Sequence, residues 1–107
     1  MMGEPEYRHL VDETLSRIDR SFEDVDPDLA ECSISQGALT IAFPPKLRCI
    51  VSPQPPVRQM WLAFRDRAWH FDWDGTRAVW VDDKGRGELY PILQGIIRET
   101  AGLDVTL

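Results

Sequence analysis

The chain has 107 residues, two cysteines and a formal net charge of −6, which suits one domain with its own core and argues against a disulfide framework. Residues 1–31 carry ten acids and three bases, so the remainder is close to neutral; such a field repels phosphate backbones and excludes nucleic acid as a direct partner. No 18-residue apolar run offers a membrane span, and MMGEPEYRHL lacks the regions of a signal peptide, so the expected location is cytoplasmic.

A helix is predicted from about Pro5 to Phe22. Val11, Leu15, Ile18, Phe22 and Val25 step by four and three and lay one apolar stripe along it. Asp12, Asp19, Glu23 and Asp26 each follow a stripe residue and so turn toward solvent, and Pro27 ends the element. The stretch SFEDVDPDLAE, Ser21 to Glu31, then holds five acids without a lysine or arginine.

Six strand-like runs follow. Glu31–Ser35 meets the turn signal Gln36-Gly37, and Ala38–Phe43 places Leu39, Ile41 and Phe43 on one face. Lys46–Val51 returns with Leu47, Cys49 and Val51 inward. This alternation implies a sheet wet on one side and mainly antiparallel. Ser52–Val57 contains three prolines that lack ladder donors and is expected not to form a central strand. Gln59–Phe64 and Ala68–Trp73 pair across Arg65–Arg67, and Asp74-Gly75 turns into Ala78–Val81. A closing helix from about Glu88 to Ala101 buries Leu89, Ile92, Leu93, Ile96 and Ile97, with Gly102 as its cap. Gly95 within it implies close approach to a neighbour. The tail carries Leu103, Val105 and Leu107 at period two and is expected to lie back against the domain. The order helix, five to six strands, helix gives a single α/β (α+β) two-layer sandwich over residues 1–107, both helices covering one sheet face.

Clustered carboxylates suit hard cations or a basic protein surface, and solvated surface charge is the bland alternative. Asp19 and Glu23 are i,i+4 neighbours that repel. His9 lies beside Glu6, Asp12 and Glu13 and has one imidazole to lend, while His70 shares a strand face with Asp72. Both cysteines read as buried free thiols. No phosphate loop, nucleophile elbow or desolvated acid pair occurs, so catalysis is not expected. Period two puts Trp61 on the wet face with Gln59, opposite Met60 and Leu62. The aromatics of this strand and of the next, Trp69, Phe71 and Trp73, cannot all be buried. An exposed tryptophan beside polar groups has the composition of a protein-binding hot spot.

The run VSPQPPVRQMWLAFRDRAWHFDW, together with the acidic first helix, QGALTIAF and the last helix, resembles the bacterial branch of the frataxin family from Tyr7 to about Leu107. The resemblance implies a helix–sheet–helix fold and an iron-binding regulator of iron–sulfur cluster assembly, with an iron store or donor as alternative; a third reading is an acidic interaction module unrelated to iron. It implies weak Fe(II)/Fe(III) binding at Asp19, Glu23, Asp24, Asp26, Asp28 and Glu31, with His9 nearby, and no organic cofactor. It implies docking on a cysteine desulfurase and the iron–sulfur scaffold protein through Ser52, Gln54, Gln59, Trp61 and His70. The implied state is a monomer without metal, with oligomerisation on iron left open. Arg20 departs from the acid that many relatives place there, and Ser52 from a common asparagine. The histidine common near the start of bacterial members is shifted by one, to His9.

Overall fold

The computed structural model describes residues 2–107. Helix α1 spans Glu4–Arg20, with Pro5 in its first turn, Glu4 and Glu6 at its positive end and Arg17 and Arg20 at its negative end, as the helix dipole favours. It stops short of the predicted Phe22. From Ser21 to Val25 the backbone continues in i→i−3 hydrogen-bonded turns, which keep Phe22 buried on the stripe without further α-helix.

Six strands follow: β1 (Glu31–Ser35), β2 (Ala38–Phe43), β3 (Leu47–Gln54), β4 (Gln59–Phe64), β5 (Arg67–Asp74) and β6 (Val79–Asp82). They form one antiparallel sheet in sequence order, with β1 and β6 at the edges. Helix α2, Leu89–Ala101, completes the chain and ends on Gly102 in the left-handed region (φ 69°), whose N–H returns to the Arg98 carbonyl at 2.9 Å. Gly102 is therefore the cap that the sequence indicates.

The alternating residues predicted to point inward do so. Leu39, Ile41, Phe43, Cys49, Val51, Met60, Leu62, Phe64, Trp69, Phe71 and Trp80 join Val11, Leu15, Ile18, Leu93 and Ile97 in one buried cluster. The two helices thus share the inner sheet face and leave the other wet. Val105 in the tail is buried, and its carbonyl accepts from Gln94 Nε2 at 2.9 Å. One polar bridge crosses this core and is anchored within α1. Trp80 Nε1–H donates to Thr14 Oγ1 at 2.9 Å, and the Thr14 hydroxyl donates to the Leu10 carbonyl at 2.7 Å. Tyr7 packs edge-on against Trp80 at 6.3 Å.

Three expectations need correction. Strand β3 does not stop before the proline run: it reaches Gln54, and Pro53 opposes Met60. The last β2–β3 pair is Leu39 with Val51, so β3 is locally an edge at Pro53. Successive backbone N–H positions point to opposite sides of a strand. Gln54 N–H is directed toward β4 through Tyr7, so the missing Pro53 donor faces the unpaired side. Only Pro55–Val57 leaves the strand, as a single 3-10 turn closed by Arg58 at φ 52°. Gly95 makes no close approach: it is exposed, and nothing lies within 4 Å of where a Cβ would stand. Cys49 is buried, but Cys32 on edge strand β1 is only half-buried.

Candidate functional site

The carboxylates follow the chain from the last turn of α1 into the edge strand. Asp19 lies in the last turn of the helix, Glu23 and Asp24 occupy the turns after it, Asp26 and Asp28 lie in the loop, and Glu31 opens β1. All six are exposed. No arginine, lysine or histidine pairs with any of them among the described residues. Asp26 Oδ1 accepts the Asp28 N–H at 2.9 Å and so orders the loop locally. Burial pushes the Cys32 thiol up to about 12, helped by the negative charge of Asp19. Burial alone does the same for Cys49, again to about 12. Both sulfurs are therefore protonated at neutral pH and weak as nucleophiles or metal ligands.

Among the described residues no group of three or more His, Cys, Asp or Glu side chains converges to hold a metal ion. The acids make an open negative edge, not a coordination cage. His9 is not part of it. Its Nε2 lies 3.3 Å from Glu13 Oε2 in the first half of α1, and ten residues of helix separate it from Asp19, about 15 Å of axial rise.

The second set of residues does come together. Ser52, Trp61 and His70 are directly opposed across β3, β4 and β5, and Gln54 opposes Gln59 one step nearer the hairpin end. The Trp61 and His70 rings stack with centroids 4.1 Å apart and planes 14° from parallel. Trp61 is half-buried, with the His70 ring against one of its faces. The ring that the sequence places on the wet face is there, half-exposed. Trp61 Nε1–H donates to Gln59 Oε1 at 2.9 Å, and Gln59 Nε2 donates to Asp72 Oδ1 at 3.1 Å and Asp83 Oδ2 at 3.3 Å. Asp83 Oδ2 also lies 3.9 Å from His70 Nδ1.

Two further members of this arrangement, Asp83 and Tyr7, escape a sequence reading, and a third does not. Asp72 is foreshadowed, because it alternates with His70 on the wet face. Asp83 requires the β5–β6 register to bring it beside His70, whose carbonyl accepts the Asp83 N–H at 2.8 Å. Tyr7 requires the tertiary fold: its hydroxyl donates to the Gln59 carbonyl at 2.6 Å and accepts the Gln54 N–H at 2.9 Å.

The model of the frataxin-like domain matches residues 1–103. The chain belongs to the frataxin-like family. Its relatives place it in the bacterial CyaY branch. It is 35% identical over 103 residues to the iron-sulfur cluster assembly protein CyaY of Pseudomonas fluorescens, covering 96% of this chain and 93% of that one. It is 30% identical to the protein of that name from Tolumonas auensis, over 99% of both chains. Among solved structures, frataxin from Psychromonas ingrahamii superposes with a TM-score of 0.87 at 25% identity, over 97% of this chain and 96% of that one. Among the described residues of this frataxin-like chain, no helix is long and apolar enough to cross a membrane.

Proposed function

We propose that this chain is a non-enzymatic regulator of iron–sulfur cluster assembly in the cytoplasm. It binds Fe(II) or Fe(III) weakly along the Asp19–Glu31 edge and docks on a cysteine desulfurase and its scaffold protein. The observation that carries this reading is the run of six exposed carboxylates that no cation among the described residues pairs with. Charges left unpaired on one edge create an attractive potential for cations and basic surfaces, and raise encounter rates at low salt. The names of the curated relatives, iron-sulfur cluster assembly protein CyaY, support placing that potential in cluster assembly. The absence of convergence argues for weak, geometry-tolerant iron binding, with iron as cargo or effector.

The wet face supplies the second contact. Trp61, backed by His70 and flanked by Ser52, Gln54 and Gln59, is the large ring on that face that desolvates on docking. Electrostatics then governs association and the aromatic contact governs dissociation. An NMR titration, first with Fe(II) and then with the desulfurase in metal-free buffer, tests both. We expect amide shifts from Asp19 to Glu31 with iron, and at both surfaces with the desulfurase–scaffold complex. Iron transfer to the scaffold without any complex in metal-free buffer would favour the donor reading. No movement at Asp19–Glu31 in either titration would eliminate the edge as a functional surface.

A further inference from the structure

Gln59 joins hydrogen bonds made on the two faces of the sheet. Gln54 and Gln59 form the last register pair of the β3–β4 hairpin, yet the hydroxyl of Tyr7 stands between them. It accepts the Gln54 N–H at 2.9 Å and donates to the Gln59 carbonyl at 2.6 Å. Tyr7 is only 3% exposed, so this bond pins the Gln59 backbone from the core side.

The Gln59 side chain extends over the wet face. Its Oε1 accepts the Trp61 indole N–H at 2.9 Å, and its Nε2 donates to Asp72 at 3.1 Å and Asp83 at 3.3 Å. The amide can turn only one way here. An indole nitrogen donates and never accepts, while ionised carboxylates accept and never donate, so the carbonyl faces Trp61 and the NH2 faces the acids. The only polar atom of the indole is therefore satisfied inside the chain. His70 covers one face of the ring, and what Trp61 offers outward is apolar surface.

We propose that Gln59 is a positioning residue for Trp61, not a partner contact: it withdraws the indole donor from the surface and fixes the ring as a preset packing platform. The group that meets Trp61 is then an apolar side chain rather than a hydrogen-bond acceptor. This rests on the reading of Trp61 as a docking residue. Fixing the ring before encounter removes part of the ordering cost of binding.

The test uses the full-length protein, 15N-labelled at the tryptophan indoles, with Gln59→Met and Tyr7→Phe. Gln59→Met keeps length and volume but removes both the acceptor and the donors. Tyr7→Phe removes only the hydroxyl behind Gln59. Solvent exchange of the Trp61 Nε1–H reports whether the ring is held, a readout that general stability does not mimic while the other three indoles stay unchanged. Affinity for a purified desulfurase–scaffold complex is measured by interferometry. We expect Gln59→Met to speed Trp61 indole exchange at least about tenfold and to weaken binding about tenfold, with Tyr7→Phe giving smaller changes of the same sign. Unchanged exchange in Gln59→Met overturns the proposal, as does faster exchange with unaltered affinity. Trp61→Ala binding as tightly as the unaltered chain overturns the docking reading itself, and this role for Gln59 with it.

Discussion

Asp82 is the most completely enclosed acid of the chain, its side chain 0% exposed, and it holds the turn that presents Asp83 to Gln59. Its Oδ2 accepts from Arg86 Nε at 2.8 Å and from the Arg86 and Lys84 backbone N–H groups at 3.0 and 3.2 Å, while Oδ1 accepts from the Arg86 guanidinium at 3.0 Å. These bonds, led by the Arg86 side chain, hold its carboxyl down at about 2 against an ordinary 3.8. Asp82→Asn keeps the shape and one acceptor oxygen but removes the charge. Hydrogen bonds to a charged group contribute about 1.5–3 kcal/mol net. The Arg86 side chain is 36% exposed, so solvent screening reduces that gain. A loss of about 2 kcal/mol follows, or roughly 10 °C in melting temperature for a domain of this size. Because the folded pKa is depressed, the stabilisation is fully present well above pH 4 and fades as pH falls toward 2. Urea titrations of both proteins at pH 7, 5 and 3 check this. The gap should hold from pH 7 to 5 and shrink by about half at pH 3. A gap below about 0.5 kcal/mol at pH 7, or one indifferent to pH, would refute the assignment of Asp82 as an ionised clamp.

Reversing Glu23, Asp24 and Asp26 to lysine takes the formal net charge from −6 to zero, since each reversal adds two charges. Association with the desulfurase should slow at least about tenfold at low salt and lose most of its salt dependence; rates that still track ionic strength in stopped flow would eliminate steering by this edge. Trp61→Ala should cost only about 1–2 kcal/mol of stability, because the ring is half-buried and loses one stack and one hydrogen bond. It should weaken complex formation by about 2 kcal/mol or more, and a melting temperature lowered by far more than about 15 °C would place the ring in the core instead. With Cys32 and Cys49 both pushed up to about 12, iodoacetamide at pH 8 should label neither thiol until urea unfolds the chain. Asp19→Asn should speed labelling at Cys32 alone, and rapid native labelling of Cys32 would contradict its suppression by burial and the Asp19 charge.

What the sequence disclosed depended on whether the cause was local. The Val11–Leu15–Ile18–Phe22 stripe and the Leu39–Ile41–Phe43 alternation each follow from the period of a single element, so helix, strands and two-layer packing were all legible. The acidic edge was legible for the same reason: its members are near neighbours along the chain. Trp61 was placed on the wet face by alternation with Met60 and Leu62, both fully buried. The errors arose where the surroundings of a residue, not its type, decided the outcome. Prolines lack a donor everywhere, but only the missing β2 partner beyond Val51 makes Pro53 harmless. Gly95 lowers helix propensity without filling any packing need, since its position faces solvent.

The contacts that hold the wet face in shape left no such trace. Tyr7 and Gln59 are 52 residues apart, Thr14 and Trp80 are 66 apart, and neither pair belongs to any repeating pattern. Yet these pairs make α1 a strut between the two surfaces. Near its start, Tyr7 fixes the backbone of Gln59, whose amide holds Trp61; in its last turn, Asp19 stands near enough to Cys32 of the edge strand for its charge to raise that thiol. Because Tyr7, Val11, Leu15 and Ile18 are all buried along one stripe, the helix cannot rotate to free one surface without disturbing the other. On the proposed function, a charge-driven encounter at the edge would deliver a partner to a platform whose position is already set, and Tyr7→Phe is the substitution expected to separate the two, loosening Trp61 while leaving every edge carboxylate in place.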